Sequence, residues 1–225
     1  MRILFIGNSH TYKHAMPFQV REMIRFRKGA TACDIWSYTA AGRSLSWHGA
    51  EEGTRQAVRQ FEWDYIVLQQ ATHPFGGYEE LAEGYRLLRP HLEVSGAEII
   101  LYVTWKRKNA PESDQQEIND AFARLAGEES LRTVPAGDAW AMVAREHPGI
   151  NLYEEDGSHA SPAGSYLIAC MFFNALTGES PEGLPARLVG RKDVLVDLKP
   201  ETAERLQQTV EPICGSRNLE NGINV

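Results

Sequence analysis

Cysteine is scarce in this chain of 225 residues, which contains only Cys33, Cys170 and Cys214. An odd number of cysteines cannot form a complete disulfide framework, and these three have none of the spacings typical of a zinc site. Cys170 lies in an apolar run, where a thiol behaves as a small hydrophobic group. Because structural disulfides are rare in reducing compartments, we expect a cytoplasmic location.

Long hydrophobic runs and an excess of positive charge are also missing. No segment approaches the roughly 20 apolar residues that cross a bilayer, and the apolar residues 3–6 are too few for the core of a signal peptide. With 30 acidic and 23 basic residues, the formal net charge is −7, which disfavours nucleic-acid and membrane partners. The densest basic run, Lys106-Arg107-Lys108, is interpreted as a solvated loop.

Short apolar runs alternate with segments of helical periodicity along the chain. The predicted strands cover residues 3–6, 31–38, 65–68, 99–103 and 131–134, and the predicted helices cover residues 16–27, 51–61, 78–92, 111–125, 139–146, 162–176 and 201–210. Apolar strands that alternate with helices are typical of a parallel sheet covered on both faces. We therefore predict an α/β fold, a three-layer α/β/α sandwich with about five parallel strands and flavodoxin-like winding. This length suits one domain, placed at residues 1–215, with residues 216–225 as a frayed tail.

Residues of catalytic type follow the first predicted strand and fill a late loop. Ligands of an open parallel sheet bind beyond the carboxyl ends of its strands, and Ser9 lies at such an end. A serine nucleophile needs an adjacent base, and the base needs a partner that fixes its tautomer. Asp156 and His159 stand three residues apart in a loop rich in small residues, so one turn could join carboxylate and imidazole. Together they predict a triad of Ser9, His159 and Asp156.

The same segments resemble the sequence blocks of the SGNH, or GDSL, hydrolases. Residues 3–11 (Ile-Leu-Phe-Ile-Gly-Asn-Ser-His-Thr) are similar to the first block, Gly42 is similar to the glycine of the second, and Asp156-Gly-Ser-His159 is similar to the last, which completes the triad. The resemblance runs from residue 1 to about residue 178, and its last part is similar to a poorly characterised SGNH branch. It implies an SGNH hydrolase fold and a serine esterase or deacetylase that requires no metal or organic cofactor.

The third block departs from the family pattern. The family usually supplies an Asn from a Gly-x-Asn-Asp turn, whereas this chain has Gln69 and Gln70. A Gln amide carries the same N–H donor on a longer stem, and alternation along a strand lets only one of the two reach the site. The resemblance thus implies an oxyanion hole made by the N–H groups of Ser9 and Gly42 and the amide of Gln69, with Gln70 as a near-equal alternative.

Three further residues near strand ends are candidate substrate contacts, namely His10, His73 and Trp105. Each of them, like His48, also admits a packing or surface role. His10 and His14 are four residues apart and could share a helix face that holds a metal, but the sequence offers no obvious third ligand, so we predict no metal site.

Two other classes of function stay open. The turn after the first strand of a flavodoxin-like fold can cradle a phosphate at a helix N-terminus, which would make the chain a nucleotide or flavin binder. A non-catalytic carbohydrate-binding relative is disfavoured because all three triad residue types are present. Within the hydrolase reading, a small acyl ester such as an acetylated carbohydrate is expected by family analogy, with lysophospholipase and thioesterase activity as alternatives. Assembly into a homo-oligomer is left open.

Overall fold

A computed structural model of the protein describes residues 1–210 and residue 213. Its strands are β1 (Arg2–Gly7), β2 (Asp34–Thr39), β3 (Tyr65–Leu68), β4 (Glu98–Val103), β5 (Arg132–Pro135), β6 (Arg187–Val189) and β7 (Val194–Asp197). Its helices are α1 (Ser9–Tyr12), α2 (Met16–Lys28), α3 (Leu45–Ala50), α4 (Glu52–Arg59), α5 (Gly77–Ser95), α6 (Glu112–Glu129), α7 (Ala136–Glu146), α8 (Pro162–Thr177) and α9 (Pro200–Gln208). A 3-10 turn, Lys13–Ala15, joins α1 to α2.

The first five strands form one parallel sheet in the order β2-β1-β3-β4-β5. This is the flavodoxin-like order, in which a crevice opens at the carboxyl ends of β1 and β3. The predicted α/β class, parallel sheet and winding are therefore confirmed. Ser9 begins α1 two residues after the end of β1, so the fold places its hydroxyl at this crevice.

Alternation along β1 builds one core on each face of the sheet. Ile3 and Phe5 belong to a core that includes buried residues of α2, α7 and α8, whereas Leu4 and Ile6 belong to a core with residues of α4, α5 and α6. Successive side chains of a strand point to opposite faces, so a strand covered on both faces is apolar throughout. All four of these side chains are at most 1% exposed.

Helix α8 is buried nearly all round, which explains its strongly apolar sequence. One side packs on the sheet, where the rings of Phe5 and Phe172 meet edge to face at 5.1 Å. Leu188 of β6, Val196 of β7 and Leu206 of α9 belong to the same core and cover its outer side. A helix that is hydrophobic on every face needs such cover.

The structure also contains elements that the periodicity did not predict. Helix α3 has six residues, too few to show a helical repeat, and β6 and β7 form a separate antiparallel pair of three- and four-residue strands. Strand β2 begins at Asp34 rather than residue 31, because Gly29, with φ +105°, ends α2 and residues 30–33 form a turn. The predicted boundary at residue 215 and the predicted frayed tail lie outside the described residues. No described helix has the length and apolar character needed to cross a membrane.

Candidate active site

The turn after β1 is built around Asn8. Its side-chain oxygen accepts the His10 N–H at 3.0 Å and caps α1, while its amide donates to the Arg43 carbonyl in the loop after β2 at 3.1 Å. Asn is a favourable N-cap because its side chain satisfies an N–H that the first helical turn leaves free. As the first residue of α1, Ser9 keeps an N–H that no intrahelical bond uses.

Gly7 lets this turn lie directly against β3. A Cβ at Gly7 would stand 2.5 Å from both the Gln69 side-chain oxygen and the Thr11 hydroxyl. That Gln69 oxygen accepts the Asn8 N–H at 2.7 Å and the Thr11 hydroxyl at 3.0 Å. The Gln69 amide thus supports the turn that presents Ser9, and only glycine leaves room for it.

The structure brings the three predicted triad residues together. The Ser9 hydroxyl donates to His159 Nε2 at 2.8 Å, and His159 Nδ1 donates to the Asp156 carboxylate at 2.5 Å. Ser9 and His159 are 150 positions apart in the chain, so the fold alone creates this contact. The arrangement allows the imidazole to accept the hydroxyl proton while the carboxylate holds its tautomer.

Asp156 both orients His159 and closes its own turn. Its second oxygen accepts the N–H groups of Ser158 at 2.8 Å and His159 at 2.9 Å. The hydrogen bond from the His159 ring, helped by these two backbone donors, holds the pKa of Asp156 well below its usual range. Because hydrogen bonds to the ionised form stabilise it, the carboxylate stays charged at neutral pH.

Ser158 fixes the triad loop to the strand ends. Its hydroxyl meets His73 Nδ1 at 2.7 Å, and its carbonyl accepts the Trp105 indole N–H at 2.9 Å. His73 Nε2 lies 2.7 Å from the Trp105 carbonyl, which can only accept, so a neutral His73 carries its proton on Nε2 and Nδ1 accepts from Ser158. The loop between Asp156 and His159 is therefore tied to the ends of β3 and β4.

His10 lies behind the triad. It is 6% exposed, its ring stacks on His159 with centroids 5.2 Å apart, and its Nε2 is 3.1 Å from His73 Nδ1. Burial, reinforced by His73 and His159, lowers the pKa of His10 to about 3. Burial also lowers the pKa of His73, and the nearby Arg107 lowers it further. Both rings are therefore neutral at physiological pH.

The candidate substrate contacts thus have mainly structural partners. Trp105 is 1% exposed and stacks on Trp140 with ring centroids 3.9 Å apart, and His10 is buried. Their polar atoms and ring faces are used inside the protein, so a substrate contact by either residue stays a prediction. His73 keeps some exposure while its ring nitrogens hold Ser158 and Trp105.

The two glutamines after β3 differ in their free hydrogen-bonding capacity. The Gln69 amide N–H₂ donates to the Gln70 carbonyl and its oxygen supports Asn8, so the preference for Gln69 as oxyanion donor is not supported. The Gln70 oxygen accepts the Leu45 N–H at 2.8 Å, and its buried Nε2 has no partner among the described residues. Buried donors without a partner are rare in native proteins. The side chain reaches from β3 towards the loop that contains Gly42, whose φ of +67° suits glycine.

His48 and His14, which the sequence also singled out, have structural partners. His48 is fully buried, with Nε2 2.9 Å from the Gly7 carbonyl and Nδ1 3.0 Å from the Thr54 hydroxyl. His14 does not share a helix face with His10, because α1 ends at Tyr12 and His14 has φ +49°; it binds Glu154 at 2.6 Å instead. Among the described residues, no group of three or more His, Cys, Asp or Glu side chains is placed to hold a metal.

Sequence reasoning missed the roles of Asn8 and Ser158. Asn8 stands just before a helix in a short polar turn, a position typical of an N-cap, so its role carried a signal. Ser158 carried none, because its partners His73 and Trp105 lie 85 and 53 positions away and meet it only in the folded chain.

No protein-family model matches the chain, and no curated protein is significantly similar to it. Among solved structures, a DUF4886 family protein from Bacteroides uniformis is 19% identical over 97% of this chain and 96% of its own, with a TM-score of 0.78. An acetyl xylan esterase of Geobacillus stearothermophilus is 17% identical over 79% and 95%, with a TM-score of 0.61. TesA is 12% identical over 79% and 99%, with a TM-score of 0.64. These similarities show that the chain has the SGNH hydrolase fold, which the sequence resemblance implied.

Proposed function

We propose that the protein is a serine hydrolase of the SGNH type that cleaves small acyl esters. The observation that carries the proposal is the continuous hydrogen-bonded chain from the Ser9 hydroxyl through His159 to Asp156, with distances of 2.8 and 2.5 Å. A serine with an adjacent, oriented base is the arrangement that nucleophilic catalysis requires. If the protein only bound a nucleotide or a flavin, the hydrogen bonds that join Ser9, His159 and Asp156 would have no role.

In the proposed reaction, Ser9 Oγ attacks the ester carbonyl as His159 takes the hydroxyl proton. Asp156 stabilises the resulting imidazolium, and the N–H groups of Ser9 and Gly42 with the amide of Gln70 stabilise the oxyanion. His159 then protonates the leaving alcohol, which departs and leaves an acyl-Ser9 ester. Water, deprotonated by His159, releases the acid and restores the serine.

For the substrate we favour an acetylated carbohydrate or another short acyl ester. Several similar structures are of enzymes named as acetyl xylan or acetyl-xylooligosaccharide esterases, which supports the acetyl group. The fold also occurs in TesA, so longer acyl chains and thioesters are the comparison substrates. A series of 4-nitrophenyl esters from acetate to decanoate would rank them, and we expect acetate to give the highest kcat/KM.

Replacing Ser9 tests the proposal directly. We expect Ser9→Ala to lose essentially all turnover of 4-nitrophenyl acetate and all labelling by a fluorophosphonate probe, because no other atom can form the acyl intermediate. Ser37→Ala is the matched control, since Ser37 is exposed on the edge strand β2, and it should behave as the parent protein does. If Ser9→Ala retained the parent rate, the proposed function would be wrong.

A further inference from the structure

The hydrogen bond between His14 and Glu154 joins the two segments that carry the catalytic triad. His14 is five residues after Ser9, and Glu154 is five residues before His159. The two segments therefore meet twice. Ser9 Oγ lies 2.8 Å from His159 Nε2, and His14 Nε2 lies 2.6 Å from the Glu154 carboxylate. Because an ionised carboxylate can only accept a hydrogen bond, the His14 Nε2–H is the donor. His14 and Glu154 are defined here as the clamp.

Glu154 begins the loop that carries the catalytic base. Its backbone N–H donates to the His159 carbonyl at 2.9 Å, and its own carbonyl accepts the Gly157 N–H at 3.0 Å. Next to these bonds, Tyr153 and Ala160 form an antiparallel β-bridge. The main chain of Glu154 is thus fixed to that of His159, so a displacement of Glu154 would displace the imidazole as well.

His14 lies in the turn that follows the nucleophile. Helix α1 ends where the Lys13 N–H donates to the Ser9 carbonyl, and the Lys13 carbonyl accepts the hydroxyl of Ser165 in α8 at 3.4 Å. The His14 carbonyl accepts the side-chain amide of Gln19, a buried residue of α2, at 2.8 Å. The main chain of this turn is therefore held against Ser9, α2 and α8.

The backbone of this turn adopts an unfavourable conformation that directs His14 to its partner. His14 (φ +49°, ψ +29°) and Ala15 (φ +54°, ψ +36°) are both left-handed, which costs free energy for residues other than glycine. Such residues cluster at functional sites, where the surrounding contacts hold them in place. If α1 continued as a helix, His14 would lie on the same face as His10, which contacts His73. The left-handed turn instead brings His14 to Glu154.

We propose that His14 and Glu154 are positioning residues, which hold the Ser9 hydroxyl within hydrogen-bonding distance of the His159 imidazole. The proposal rests on the proposed ester hydrolysis and adds two residues that support it without taking part in the reaction. The contacts of Ser158 fix the triad loop to the ends of β3 and β4, whereas the clamp fixes it to the segment that follows Ser9. Misplacing reacting groups by about 1 Å can cost roughly 100-fold in rate, even when the change is far from the chemistry.

Alanine variants of the clamp test the proposal with 4-nitrophenyl acetate as the substrate. We expect Glu154→Ala and His14→Ala each to lower kcat about tenfold and to change KM less than about twofold, because the clamp affects the chemical step and not the binding of the ester. The double variant should lose about as much as either single variant, because both changes remove the same contact. Glu154→Gln keeps an oxygen that can accept the His14 Nε2–H, so it should retain most of the parent kcat.

Glu155→Ala is the matched control, because Glu155 is the exposed neighbour of Glu154 and has no side-chain partner among the residues that the structure describes. This variant should behave as the parent protein does. Urea unfolding must show that every variant is folded at the assay temperature. If a folded Glu154→Ala variant kept the parent kcat, if the losses of the single variants added in the double variant, or if Glu154→Gln lost as much as Glu154→Ala, the clamp proposal would be wrong.

Hydrogen exchange in the triad loop separates the clamp from the proposed function. The N–H groups of Ser158 and His159 both donate to Asp156, and their exchange is measured without any substrate. In Glu154→Ala, and not in Glu155→Ala, we expect both amides to exchange about tenfold faster than in the parent protein, because the loop loses an attachment and opens more often. Such an increase would support the clamp even if no ester were hydrolysed, and unchanged exchange would overturn it while ester hydrolysis stood.

Discussion

Gln70 is one of the buried residues whose hydrogen bonding is incomplete among the residues that the structure describes. Its oxygen is committed to the Leu45 N–H, and its Nε2 is buried with no partner in the part of the chain that the structure describes. An unpaired buried amide costs free energy in the folded protein. The oxyanion that forms when Ser9 attacks an ester would accept a hydrogen bond from Gln70 Nε2. A hydrogen bond that forms only in the transition state lowers the activation barrier and so accelerates the reaction.

Gln70→Met should therefore lower kcat for 4-nitrophenyl acetate about 100- to 1,000-fold, the usual loss of one oxyanion donor. The substitution keeps the length of the side chain and removes the donor. It also leaves the Leu45 N–H unpaired, at a cost of about 1–3 kcal/mol of unfolding free energy, so a urea unfolding curve must show a folded variant at the assay temperature. Gln208→Met, at an exposed position in α9, is the control. A folded Gln70→Met variant with a kcat within threefold of the parent would remove Gln70 from the oxyanion hole.

Residue type and order in the chain were enough to predict Ser9, Asp156 and His159, because each occurs in a short local pattern. They could not distinguish Gln69 from Gln70. Both offer the same amide, and the difference arises from which neighbours each one meets, namely Asn8 and Thr11 for Gln69 and Leu45 for Gln70. The burial of His10 and Trp105 could not be predicted either, because it also depends on neighbours that come together only in the folded protein.

At the scale of elements, the junction between β1 and α1 is closely packed. Strand β1, whose last residue is Gly7, pairs in parallel with β3. The Gln69 amide fills the space that a side chain at Gly7 would occupy. The same amide holds the N–H of Asn8, so the position of Ser9 depends on this contact.

Gly7→Ala should cost about 1–3 kcal/mol of unfolding free energy, because a methyl group placed into a packed site forces its neighbours to move. It should also lower kcat by displacing Ser9 from His159. Chemical denaturation and ester turnover measure the two effects. Gly127→Ala is the control, since Gly127 is exposed in α6 and an added Cβ meets nothing within 4 Å; it should stabilise by up to about 1 kcal/mol. If Gly7→Ala were as stable as the parent protein, the Gln69 side chain would be able to move aside at no cost.

The long elements were predictable because their signals are repeated. Strands such as β1 and β4 are continuous apolar runs, and α8 begins with a proline at its first position and remains apolar for most of its length. The short elements were not predictable: six residues in α3 span fewer than two turns, and β6 and β7 pair with each other rather than with the main sheet. Their positions depend on tertiary packing, of α3 against α5 and of β6 and β7 against α2.

For the whole molecule, buried histidines rather than surface ion pairs should set the stability at mildly acidic pH. The surface pairs are mostly exposed, for example Arg89 with Glu93, and such pairs contribute little. His10 and His48 are at most 6% exposed, and His73 is partly buried. Burial lowers the pKa of all three, in His10 to about 3. In the unfolded chain a histidine titrates near 6.5.

Between these pKa values the unfolded state binds more protons than the folded state, so the free energy of unfolding should fall as the pH drops below about 6.5. For His10 alone the fall from pH 6.5 to pH 5 is about 2 kcal/mol, and His48 and His73 act in the same direction. Asp156 adds to the loss only at lower pH, because its carboxyl titrates near 3.9 even in the unfolded chain. Urea unfolding at pH 7, 6 and 5 measures the slope. His10→Gln removes the titrating ring, so the free energy of unfolding of this variant should depend less on pH. If the variant had the same pH dependence as the parent protein, other groups would be responsible for the acid sensitivity.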